Sequence, residues 1–100
     1  MNERKIRVVV VDDDEAILDM FKNLLPQFEI ITFDNPLRAK EYLFSQGTEL
    51  PDIILMDIMM PYLDGIQLIR EIKSNDRLGR VPVVATRIVS KYPVNKKESI

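Results

Sequence analysis

The sequence contains neither cysteine nor histidine. Without cysteine there is no disulfide framework, no thiolate zinc site and no catalytic thiol. Without histidine the chain lacks the commonest general base and the commonest metal ligand. Any metal it holds must be bound by oxygen, which favours a hard cation such as Mg2+. A basic excess is also missing. Fourteen Lys and Arg against 16 Asp and Glu leave a formal net charge of −2, so nothing marks the chain for nucleic acid or an anionic membrane. The opening MNERKIRVVV lacks the apolar core of a signal peptide, and no run approaches a membrane span. A cytoplasmic protein without a membrane partner is expected. Repeats, low-complexity segments and linkers are absent as well. One hundred residues, 46% of them hydrophobic, bound a single ordered domain over 1–100.

What the chain does have is a conflict. The stretch VVVVDDDEA, Val8 to Ala16, sets four β-branched apolar residues directly against three aspartates and a glutamate. Adjacent carboxylates repel and raise one another's pKa unless something compensates.

The pattern around that stretch alternates between two periods. Ile6 to Val11 reads as a buried strand, continuous in its apolar character as in a sheet covered on both faces. Ile17, Leu18, Phe21, Leu24, Leu25 and Phe28 then recur at helical spacing, with Asp13 or Asp14 as cap and Pro26 near the end. Glu29 to Phe33 is a second strand. Asn35-Pro36 opens a helix as cap and first-turn proline, and the helix runs to about Gln46 with Gly47 as its stop. Asp52 to Asp57 is a third strand. Gly65 to Asn75 forms a helix with Ile66, Leu68, Ile69 and Ile72 available for burial, and Val81 to Thr86 is a fourth strand. Such alternation implies an α/β fold: a doubly wound parallel sheet with right-handed crossovers and helices on both faces.

In these folds ligands bind outside the carboxyl ends of the strands, where the strand order reverses. Asp12 and Asp13 close the first strand and Asp57 the third, so adjacency of those strands would bring three carboxylates to the mouth of the sheet. A divalent cation resolves the repulsion, because carboxylates, a backbone carbonyl and waters suit the octahedral shell of Mg2+. Such an ion would also position a phosphoryl group against a carboxylate nucleophile. Helix capping explains one of the three aspartates after the first strand but not Asp57.

Two segments, VVVVDDDEA and DIILMDIMMPYLDGIQLIREIK, resemble the receiver domain of two-component response regulators, a flavodoxin-like fold. The resemblance covers Ile6 to about Thr86, so that 1–86 matches the family and 87–100 is an atypical tail. It implies that Asp57 is the phosphoacceptor and that Asp12, Asp13, Asp57 and the backbone carbonyl of Met59 hold Mg2+. Pro61 and the pair Asp64-Gly65 would shape the turn into the next helix. The phosphodonor would be a phosphohistidine of a sensor histidine kinase or phosphotransfer protein, which fits a chain without histidine. Such kinases dock on the first helix, whose exposed face would include Asp19, Lys22 and Asn23.

The carboxyl end departs from the family. Thr86 takes the place of the switch hydroxyl, but it stands one residue closer to Pro82 than usual, and a one-residue slip turns a strand side chain to the opposite face unless a bulge restores it. Arg87 occupies a position where a small residue is usual. Only Arg87 to Ser90 separate Thr86 from Lys91, which takes the place of the phosphate-contacting lysine or is an ordinary surface lysine. A parallel crossover needs about a dozen residues, so the fold is expected to be truncated or remodelled after the fourth strand. That strand would then be an open edge, and self-association through it and through Ile88 and Val89 is expected. Two other readings fit parts of the sequence. A haloacid-dehalogenase-like phosphatase would use Asp12 as nucleophile and Asp14 as acid/base, and a pseudo-receiver would serve only as a binding or assembly module.

Overall fold

A computed structural model describes residues 4–45, 47–60 and 65–86. Strands and helices alternate through them: β1 (Arg7–Val11), α1 (Glu15–Leu24), β2 (Glu29–Phe33), α2 (Pro36–Phe44), β3 (Ile53–Asp57), α3 (Gly65–Ser74) and β4 (Val83–Thr86). The four strands form one parallel sheet in the order β2-β1-β3-β4. The order reverses between β1 and β3, as a doubly wound fold requires.

The continuous apolar run of β1 is accounted for by its central place in the sheet. Val8 to Val11 are all buried, and successive side chains supply opposite layers. Val9 and Val11 join Ile54 and Met56 of β3, Ala39 and Leu43 of α2, and Leu68 and Ile72 of α3 in one core. Val8 and Val10 face the other way, where Leu18 and Phe21 of α1 pack with Phe28, Ile30, Ile53 and Leu55. Helices therefore cover both faces, with α2 and α3 on one and α1 on the other.

Element ends differ from the sequence expectation for identifiable reasons. Helix α1 stops at Leu24, because Pro26 disfavours a helical conformation at Leu25; Phe28 lies beyond the helix yet still packs in its layer. Helix α2 ends at Phe44, short of Gln46, which lies outside the described residues. Its last carbonyls are taken up by side chains instead. The Thr48 hydroxyl donates to the Tyr42 and Ser45 carbonyls, and the Arg77 guanidinium donates to those of Leu43 and Thr48. Ile66, expected to be buried, is 48% exposed, because the inward stripe of α3 runs through Gly65, Leu68 and Ile72. Val81 accepts from the Lys73 ammonium and closes a turn onto Leu78, so β4 begins only after Pro82.

At the amino-terminal pole of the sheet, acids and arginines alternate. Arg4 makes two hydrogen bonds to the Asp52 carboxylate at 2.9 and 3.0 Å, and the Arg7 amide donates to it at 2.7 Å. The Arg7 guanidinium in turn pairs with Glu29 and Glu49. The Arg4 guanidinium, and after it the Arg7 amide, hold the Asp52 carboxyl down at about 2, against an ordinary value of 3.8. A carboxyl depressed in the folded state stabilises the fold above its unfolded pKa, and that contribution is lost as pH falls through its folded value. Urea unfolding should therefore separate the parent from Asp52→Asn fully above about pH 4, with the difference fading toward pH 2. Equal differences at pH 3 and pH 7 would contradict this.

Candidate functional site

The carboxyl ends of β1 and β3 meet because those strands pair directly, Val11 standing opposite Met56. The next residue on each strand is an aspartate. Asp12 continues the ladder, its N–H donating to the Phe33 carbonyl at 3.0 Å, and Asp57 is the last residue of β3. Both are buried, at 2% and 0% exposure, while Asp13 is half-buried. Carboxylate oxygens of Asp12, Asp13 and Asp57 lie within 4.8 Å of one another. At such separations each ionised pair repels by on the order of 3 kcal/mol at an effective dielectric of about 20.

Local hydrogen bonds fix two of these carboxylates. Asp12 Oδ1 accepts the Asp14 N–H at 2.9 Å, and Asp57 Oδ1 accepts the Met59 N–H at the same distance. Asp14 plays a different part. Its side chain accepts the Ala16 N–H at 3.0 Å and caps α1, so the run of three aspartates divides into two site residues and one cap. Of the two capping candidates in the sequence, Asp14 rather than Asp13 is the cap. Asp13 borders a groove that Glu15, Asp34 and Asn35 also line.

Thr86 stands level with the phosphoacceptor candidate. The β3–β4 ladder runs without a skipped residue from Ile54↔Val83 to Asp57↔Thr86, and the Ile58 N–H closes it onto the Thr86 carbonyl at 3.2 Å. Register partners in a parallel ladder point to one face of the sheet. The short spacing from Pro82 therefore does not turn Thr86 away, because the strand starts after that proline and its register is set by β3. Met59 is adjacent through its amide, with a side chain 46% exposed. Lys91, Arg87, Pro61 and Asp64 lie outside the described residues, as do Ile88 and Val89.

The close backbone approach expected of Gly65, where the chain turns into α3, has a specific partner in the structure. A Cβ there would come within 2.9 Å of Ile58 Cα and 3.0 Å of the Asp57 carbonyl oxygen. The Asp64-Gly65 pair signalled a tight turn, but not that the atoms met would be the backbone of Asp57 and Ile58. Nothing in the sequence signalled that the Phe33 carbonyl would anchor Asp12.

The donor set is all carboxylate, with no nitrogen or sulfur, and so fits a hard divalent cation. The family model for the response regulator receiver domain matches residues 8–97. The chain is 39% identical over 88 residues to the protein-glutamate methylesterase/protein-glutamine glutaminase of group 3 operon of Rhodopseudomonas palustris, across 84% of this chain and 23% of that protein. Its fold matches the phosphorylated cyanobacterial phytochrome response regulator RcpA with a TM-score of 0.77 at 27% identity, over 96% of this chain and 71% of that one. It also matches the receiver domain of the sensor histidine kinase PA1611 of Pseudomonas aeruginosa, solved with a magnesium ion in its active-site cleft. There the TM-score is 0.71 at 25% identity, over 82% of this chain and 66% of that one. The chain belongs to the response regulator receiver domain family. It spans less than a quarter of the length of the Rhodopseudomonas relative. Among the described residues no helix is long and apolar enough to cross a membrane.

The division of labour among the aspartates can be checked by melting. Asp14→Ala should cost about 1 kcal/mol as a lost cap while keeping any stabilisation by Mg2+. Asp13→Asn, which removes one of three converging charges, should instead raise the metal-free melting temperature and abolish the Mg2+ increment. Identical behaviour of the two variants would contradict the division.

Proposed function

We propose that this receiver accepts a phosphoryl group on the Asp57 carboxylate from a phosphohistidine of a sensor histidine kinase or phosphotransfer protein. The observation that carries the reading is the convergence of Asp12, Asp13 and Asp57 at the switch point of the sheet, with Thr86 in register beside Asp57. Asp12, Asp13, Asp57 and the backbone carbonyl of Met59 would hold Mg2+. When bound, that ion supplies the positive charge that offsets the carboxylates and the phosphoryl oxygens.

The chain's own residues do the rest. The Met59 N–H fixes the plane of the Asp57 carboxylate, whose oxygen forms the new O–P bond. The P–N bond to the donor histidine breaks, and its electron pair stays on the imidazole. The donor histidine must come from a partner, since this sequence has none. The Thr86 hydroxyl would then donate a hydrogen bond to the new phosphoryl group, and Lys91 is proposed as a further phosphate contact. In this reading the chain is a signalling phosphoacceptor rather than an enzyme acting on a separate substrate, and the relay is cytoplasmic. The exposed residues Asp19, Lys22 and Asn23 of α1 would meet the kinase.

Incubation with a small-molecule phosphodonor and Mg2+ should add one phosphoryl mass to the intact protein, mapping to Asp57. Asp57→Asn keeps the shape and removes the nucleophile, so it should gain nothing; a phosphoryl adduct on this variant would refute the assignment. Parent protein that takes up Mg2+ but no phosphoryl group would favour the pseudo-receiver reading.

Self-association is a second proposal on the same fold. Among the described residues β4 pairs only with β3, and its Val84 is 45% exposed. An edge of this kind offers its backbone groups and apolar side chains to another copy. Light scattering over a concentration series should show mass rising above the monomer. A constant monomer mass at high protein concentration is the contrary result.

A further inference from the structure

We infer that Gly65 is a positioning residue for the phosphoacceptor: it lets the first turn of α3 rest directly on the backbone that carries Asp57. The inference rests on the proposed role of Asp57 as phosphoacceptor.

Two ordinary reasons for a glycine do not apply. Its φ is not positive, so conformational freedom is not what the position uses. Helix propensity opposes it, since alanine is the better residue inside a helix and Gly65 is the first residue of α3. What remains is space. The atoms a Cβ would meet, Ile58 Cα at 2.9 Å and the Asp57 carbonyl oxygen at 3.0 Å, belong to backbone and cannot swing aside as a side-chain tip would.

The two bodies in contact are each held. Helix α3 is locked by Leu68 and Ile72, both fully buried. On the other side the Ile58 N–H is tied to the Thr86 carbonyl, and the Met59 N–H is tied to the Asp57 carboxylate. Single hydrogen bonds bend more readily than a close-packed core yields, so the segment carrying Ile58 and Met59 is the part expected to give. A methyl group at position 65 therefore displaces that segment, and the displacement falls on the Met59–Asp57 hydrogen bond and on the Met59 carbonyl. Binding and transfer geometry are both set there.

Gly79 supplies the control. A Cβ on it would meet the Asn75 and Lys73 carbonyl oxygens at 2.8 and 2.9 Å, an equally tight approach at the opposite end of α3. Gly65→Ala and Gly79→Ala would be compared with the parent by amide exchange at Met59 in metal-free protein, by Mg2+ titration, and by phosphoryl uptake from a small-molecule donor at saturating Mg2+. Gly65→Ala should speed Met59 exchange, weaken Mg2+ binding and slow phosphoryl uptake by about tenfold or more, as small misplacements of reacting groups do. Gly79→Ala should lower the melting temperature and leave those three readouts at parent values.

Parent-like Met59 exchange and Mg2+ affinity in Gly65→Ala, or equal changes in both variants, would overturn the inference. If Gly65→Ala does not fold, Ile66→Gly, at an exposed position in the same first turn of α3, loosens the seat from the helix side and leaves the segment after Asp57 unchanged. Faster Met59 exchange and weaker Mg2+ binding then support the inference, and parent-like values overturn it. If the parent takes up no phosphoryl group while the exchange contrast holds, the phosphoacceptor reading fails and the positioning role of Gly65 stands.

Discussion

The direct pairing of β1 with β3 is the contact on which the rest of the molecule depends. A parallel ladder that sets Val11 opposite Met56 makes the two strands end side by side, and the residues that end them are aspartates. Burial then sharpens the effect, because the interior screens charge less than water does. The four valines of β1 make the strand central, and a central strand brings its last residues to the switch point. The apolar run and the acidic cluster are therefore two consequences of one placement.

The two poles of the sheet use the same residue types in opposite ways. At the amino-terminal pole, Asp52, Glu29 and Glu49 interleave with Arg4 and Arg7, and the carboxylates are satisfied by guanidinium groups and a backbone amide. At the carboxyl-terminal pole, Asp12, Asp13 and Asp57 stand together. The first arrangement ties the starts of β1, β2 and β3 to one another. The second gathers three carboxylates whose mutual repulsion a divalent cation would offset, which is the physical basis for reading it as a site rather than a surface.

Helix α3 links the acid pole to the rest of the framework. Its first turn lies against the Asp57–Ile58 backbone through Gly65. Beyond its carboxyl end, Asn75 accepts from the amides of Arg77 and Leu78, and Arg77 reaches back to the end of α2. Lys40 and Glu71 bridge the same two helices on the surface. The helix is thus held beyond its carboxyl end by polar contacts, in the middle by Leu68 and Ile72, and at its first turn by the close seat of Gly65 against the segment after Asp57.

Much of this was legible in the linear chain. Apolar runs and helical periodicity located the strands and helices, since burial on one or both faces imposes those patterns on any sequence. The position of Asp57 before Met59, Met60 and Pro61 pointed to the family, and the absence of cysteine and histidine narrowed a metal to an oxygen-bound one. Other matters belonged to the folded state. Counting from Pro82 placed Thr86 out of phase, because strand register is set by the neighbouring strand and not by distance from a proline; only the ladder to β3 set it beside Asp57. The choice between Asp13 and Asp14 as helix cap turned on hydrogen bonds of about equal local plausibility. The guanidinium that meets the Leu43 carbonyl at the end of α2 comes from Arg77, more than 30 residues away in sequence. Local pattern records which side chains prefer to be buried. Which backbones end up in contact, such as the seat of position 65 on Asp57 and Ile58, is decided only when the elements pack.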